Sequence, residues 1–161
     1  MAARAFFGAP REGLARGGMH VTVHLVPLFE GRLVVFDVTA KAAHGRWLPW
    51  AVLEFGRNPY EAASLLADDW CDVPLADLSL ADVMSFEVDG GGWELAIVFR
   101  AVLSAAPAGD GERRPVLFET GHFDAIGPFD PVDLQRWMET ERGVPVQTTA
   151  PPSAGAAGLV F

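Results

Sequence analysis

The sequence predicts an α/β fold, one mixed sheet with helices packed on it. Three observations carry that prediction. The segments HVTVHLVPLF, RLVVFDVT and WELAIVFRAVL are apolar, alternating or continuous, and rich in branched residues, as strands are. Two segments open on an Asx-Pro pair, Asn58-Pro59 and Asp130-Pro131, and continue with apolar residues at helical spacing. Strands and helices interleave along 161 residues, the size of one domain.

Residues 20–29 form the first strand, with Val21, Val23 and Leu25 on one face and Thr22 and His24 on the other. Glu30-Gly31 is a short turn, and residues 32–39 return as a second strand. Its run Leu33, Val34, Val35, Phe36 predicts burial on both faces. A loop over 40–45 carries Lys41 and His44. The first helix is expected over 59–70. Asn58 caps it, Pro59 takes the first helical position, and Glu61 is placed to close a capping box. Ala62, Leu65, Leu66 and Trp70 share one broad face, with Asp68 opposite and Asp69 near its edge.

Beyond the helix, residues 83–88 read as a strand, 89–92 as a turn and 93–103 as a central strand. Residues 104–114 make a polar loop and 115–123 a returning strand. A second helix covers 132–141, with Leu134, Trp137 and Met138 facing inward. The organisation expected is one domain over 19–143, between a flexible segment 1–18 and a low-complexity tail 144–161. The first 18 residues hold three Arg and one Glu. They read as a floppy end or an upstream start before Met19, with a targeting leader as the alternative.

Composition narrows the function classes. Half of the residues are hydrophobic and 20% are charged, enough apolar matter for a core and too little charge for disorder. Twelve Lys plus Arg against 21 Asp plus Glu give a formal charge of -9. Such a chain is a poor nucleic-acid binder, because phosphate-backbone binding runs on Lys and Arg. A small phosphate ligand, which one or two Arg and a helix end can hold, remains open. Cys71 is the only cysteine, so no internal disulfide and no Cys-based metal site can be assembled, which fits a reducing compartment such as the cytoplasm. No apolar run of about 18 residues is present, so no membrane helix is expected.

The stretch over 46–73, RWLPWAVLEFGRNPYEAASLLADDWCDV, resembles the signature box of the Nudix hydrolases, G-x5-E-x7-R-E-U-x-E-E-x-G-U with U aliphatic, normally preceded by Leu-Pro-Gly. The opening hairpin, the strand WELAIVFRAVL and the closing HFDAIGPFDPVDLQRW extend the resemblance over 21–138. Leu48-Pro49 matches the approach, and Glu54 and Gly56 match the common Val-Glu-x-Gly-Glu run. Trp50 and Ala51 stand for two Gly. Arg57 replaces the first box Glu, Leu65 and Leu66 the Arg-Glu pair, Asp69 and Trp70 the Glu-Glu pair, and Asp72 the last Gly. A one-residue slide instead puts Asp68 and Asp69 on the Glu pair, with Ser64 and Leu65 on Arg-Glu.

The resemblance implies an α/β/α sandwich with a mixed sheet. In the family the helix carboxylates hold Mg2+ against a diphosphate, and the metal activates water. Leu and Trp offer no ligand atoms, so only Glu54, Asp68 and Asp69 remain as candidate metal ligands. Arg57 repels a cation but suits a phosphate through bidentate bonds. Arg57, Trp50, Leu65 and Leu66 are the candidate ligand-binding residues. For the Leu and Trp side chains the alternative is ordinary core; for Arg57 it is a surface pair with Glu54 or Glu61. Glu119, near His122 and Asp124, is the candidate general base, by the family's use of a carboxylate from outside the box.

The leading expectation is a Nudix-like protein that binds a nucleotide or other diphosphate-containing small molecule, with hydrolysis absent or reduced and no cofactor. The alternatives are a Mg2+-dependent hydrolase with a rebuilt metal site, and a non-catalytic scaffold that forms a homodimer. No nucleic-acid or membrane partner is expected.

Overall fold

The computed structural model describes residues 19–41, 44–88, 92–118 and 125–139. The segments 1–18 and 144–161, the turn at 89–91 and the site candidates Glu119, His122 and Asp124 lie outside the described residues. The chain forms β1 (Met19–Phe29), β2 (Arg32–Val38), β3 (Gly45–Trp47), β4 (Trp50–Val52), α1 (Pro59–Cys71), β5 (Leu75–Val88), β6 (Gly92–Leu103), β7 (Arg113–Phe118) and α2 (Pro131–Glu139).

One sheet runs β3-β2-β1-β6-β5, with β4 also paired to β1 and β7 to β2. β1 and β6 are parallel along their length, from Met19 opposite Trp93 to Leu28 opposite Val102, and the other pairings are antiparallel, so the sheet is mixed. β1 is its spine and is buried without a break from Thr22 to Leu28. On one face Val23 and Leu25 pack with Phe99 against Ala63, Leu66 and Ala67 of α1. On the other, Val26 and Leu28 pack with Val98 against Phe129, Leu134 and Trp137 of the α2 region. A sheet that is apolar on both faces needs a helix on each, and the result is the α/β/α sandwich.

Pro27 sits inside this central strand, where a proline is normally excluded. It fits because β1 changes neighbour there. β4 pairs with Thr22 to His24, β2 pairs with Leu28 and Phe29, and between them Leu25 donates to Pro49 O at 2.9 Å. The missing Pro27 N–H falls in the gap between the two ladders.

The helix starts form as their sequences dictate. Asn58 accepts the Tyr60 N–H at 2.9 Å, and Asp130 accepts those of Val132 and Asp133, each at 3.0 Å. Glu61 faces Arg57 at 3.7 Å instead of closing a capping box. β5 is the main departure from expectation, since it begins at Leu75 rather than near Val83. Its first half, LADLSLAD, lacks β-branched residues, and it enters the sheet through irregularities between Leu75 and Asp77 and between Leu80 and Asp82. No helix among the described residues is long and apolar enough to cross a membrane.

Candidate functional site

α1 and the loop before it carry most of the expected site. The loop turns at Gly56, whose φ of 77° lies in the left-handed region that glycine enters freely. Arg57 follows, immediately before the cap. It pairs with Glu54 at 3.3 Å and Glu61 at 3.7 Å, all three exposed. These are long, solvated contacts, and such pairs contribute about 1 kcal/mol or less. The Arg57 guanidinium therefore stays available to an anion at little cost.

The two leucines separate. Leu66 is buried against Val23, Leu25 and Phe99, so it packs α1 onto the sheet and does not line a groove. Its burial is worth about 1.5–3 kcal/mol. Leu65 points out and is 51% exposed. Trp70 straddles the two: its ring meets Phe36 edge-on at 5.3 Å, and the Arg113 guanidinium lies over it at 5.0 Å.

The expected metal carboxylates are not brought together. Glu54 precedes α1 and faces Arg57, while Asp68 and Asp69 lie in its last turns, roughly 14 Å along the axis. Asp69 is bound to Arg113 at 2.8 Å, and Arg113 also holds Asp110 at 2.9 Å. The Asp69 bond is the main reason the Arg113 pKa rises. Two backbone N–H groups, from Glu112 and Arg113, hold the exposed Asp110 carboxyl below its ordinary value. Among the described residues no three His, Cys, Asp or Glu side chains converge as metal ligands do. This donor set does not fit Mg2+, which requires near-octahedral oxygen ligands.

Asp72 stands where the box ends in glycine, and its backbone does what glycine does. It closes α1 in the left-handed conformation, φ 50° and ψ 39°, with its N–H donating to Ala67 O and Asp68 O. Beside it Cys71 is buried, and burial pushes its thiol up to about 12. That thiol is inert at neutral pH.

Two further features escaped the sequence reading. Asp37 on β2 is gripped by Arg46 at 2.8 Å and Arg114 at 2.9 Å, and the Arg46 bond, ahead of Arg114, lowers its pKa. The other is a polar group inside the α2 face of the sheet. Thr22 donates to Glu94 Oε1 at 2.5 Å, and His24 Nε2 lies 3.0 Å from Thr22 Oγ1 and 3.3 Å from Glu94 Oε1. The Thr22 proton goes to the carboxylate, so the hydrogen on Nε2 is the one shared between Thr22 and Glu94. Glu94 meets the same ring nitrogen as Thr22, so it does not hold the imidazole from the far side as the third member of a nucleophile relay does. All three are at most 1% exposed.

His24 lies between Phe129, edge-on at 4.9 Å, and Trp50, near-parallel at 6.4 Å. Trp50 is thus placed beside this buried group. The sequence did hold a signal: His24 and Glu94 each stand among largely apolar residues of a strand.

No protein-family model and no curated protein sequence matches the chain. Solved structures do. A MutT Nudix hydrolase from Burkholderia pseudomallei superposes with a TM-score of 0.60 at 16% identity, covering 73% of this chain and 97% of that one. A Bacillus subtilis pyrophosphohydrolase superposes with a TM-score of 0.55 at 15% identity, covering 81% and 85%. A Nudix hydrolase from Nitrosomonas europaea gives 0.51 at 17%, covering 62% and 72%. With its mixed seven-stranded sheet and two helices matching these structures, the chain has the Nudix hydrolase fold, at low sequence identity to them.

Proposed function

We propose that this chain binds a nucleotide or another diphosphate-containing small molecule and hydrolyses it slowly or not at all. The observation that carries the reading is the chemistry of α1. Leu66 is committed to the core, Leu65 presents methyl groups, and Glu54 and Asp69 are tied to arginines near opposite ends of the helix. A diphosphate that meets this surface finds Arg57 and a helix N-terminus, which favour an anion, and among the described residues no group of three carboxylates gathered to hold a metal against it. The likeness to a pyrophosphohydrolase supports the diphosphate as ligand class.

Arg57 binds by displacing its two exposed acidic partners. Its planar fork suits two phosphate oxygens. The test is thermal melting of the full chain with ADP and other nucleoside diphosphate derivatives in EDTA. A rise in Tm without metal is expected, because a ligand of the folded state stabilises it by mass action, and Arg57→Met should lose the rise. Rapid Mg2+-dependent release of nucleoside monophosphate from the same compounds would restore the hydrolase reading and overturn this one.

A further inference from the structure

Phe55 is the most exposed large apolar side chain among the described residues, at 108%. Its backbone is held all the same. The Arg57 N–H donates to Glu54 O at 3.1 Å and closes a turn over residues 54–57. Gly56, third in that turn, has the φ of 77° that a type II turn requires there. Phe55 therefore stands at the corner of a fixed turn and Arg57 at its end. Both line one depression of about 370 Å³, whose apolar wall includes the half-buried Val21 and Leu53.

We propose, resting on the assignment of the phosphate to Arg57, that Phe55 stacks on the base of the bound ligand, so that the site selects nucleotides over other diphosphates. The Cα atoms of residues 55 and 57 are at most about 7 Å apart, so a phosphate on Arg57 leaves the rest of the ligand within reach of Phe55. The ring offers a flat apolar face, and the guanidinium a positive fork, to the two halves of one molecule. Inorganic pyrophosphate uses only the second.

Stacking on an aromatic side chain tightens the binding of a base by about 5- to 150-fold. Every base has a π-face, so one ring separates ligands with a base from those without, and not one base from another. The depression lies at the small end of ligand sites, which run from roughly 300 to 1,000 Å³, and suits one base with its sugar. Because Phe55 packs against almost nothing of its own chain, its replacement leaves the fold intact.

Isothermal titration calorimetry of the full chain in EDTA, with ADP and with inorganic pyrophosphate, tests this. Phe55→Ala is expected to weaken ADP by about 5- to 150-fold and to leave pyrophosphate unchanged, while Phe55→Trp keeps ADP binding. Arg57→Met should weaken both ligands. ADP binding that Phe55→Ala leaves unchanged overturns the stacking, and the phosphate assignment then stands on the loss in Arg57→Met. A loss shared equally by ADP and pyrophosphate in Phe55→Ala overturns it too, since the turn and not the base then carries the effect. If the unaltered chain binds neither ligand, the phosphate assignment and the stacking fall together.

Discussion

Replacing Asp72 by glycine should stabilise the protein. Asp72 holds φ 50° and ψ 39°, a conformation that an L-residue enters at a cost of about 1 kcal/mol and glycine enters freely. Its carboxylate adds a negative charge to the C-terminal end of α1, beside Asp68 and Asp69, with no basic residue in the last turn. That placement opposes the helix dipole by about 0.3–1 kcal/mol. The cap is made by the backbone N–H of residue 72 donating to Ala67 O and Asp68 O, and glycine keeps that donor. Against these gains, glycine brings extra freedom to the unfolded chain, worth about 0.5–1 kcal/mol. The sum is a gain of roughly 1 kcal/mol, or about 2–4 °C in Tm for a chain of this size. Urea and thermal unfolding of Asp72→Gly and Asp72→Ala measure it. Glycine should raise Tm by more than alanine, which loses the charge but keeps a Cβ in the left-handed region. A loss of stability in Asp72→Gly with no loss in Asp72→Ala would refute the reasoning, because the strain assigned to Cβ would then be absent.

Three other outcomes follow from the packing and the charges. Leu66→Ala should cost about 2–5 kcal/mol in urea unfolding and Leu65→Ala under about 0.5 kcal/mol, which separates the core leucine from the surface one. Cys71 should resist a thiol reagent at pH 8 in the native protein and react at once in denaturant, since burial raises its pKa to about 12. Asp37 has a folded pKa depressed chiefly by Arg46, so its contribution is present above the unfolded carboxylate value and is lost as pH falls through the folded one. Asp37→Asn should lower stability at neutral pH by about 1 kcal/mol or less and flatten the acid limb of the stability–pH curve.

Much of the fold was legible because local signals agreed with the global arrangement. The opening hairpin followed from its apolar runs, and both helix starts followed from Asx-Pro pairs that do cap. β5 was half missed because its early residues owe their strand state to pairing with β6 and carry little propensity of their own. Thr22 and His24 were assigned correctly to the face opposite Val23. Alternation alone does not reveal that α2 and Phe129 cover that face, nor that Glu94, 70 residues beyond His24, would meet them there.

The helix residues show the same limit. Leu65 and Leu66 are adjacent letters of one apolar stripe, and only the position of the sheet decides that one is core and the other surface. The carboxylates were visible as candidates, and so was the pairing of Arg57 with Glu54 or Glu61, but the partner of Asp69 was not, since Arg113 lies 44 residues further along the chain.

The most direct measurement is nucleoside monophosphate release by the full chain from nucleoside diphosphate derivatives, with Mg2+ or Mn2+ titrated against EDTA. With Leu65, Leu66 and Trp70 in place of the box residues, release should stay near the uncatalysed level at every metal concentration, while the ligand-induced rise in Tm persists in EDTA. Metal-dependent turnover at an ordinary enzymatic rate of ~1 s⁻¹ or more would contradict it.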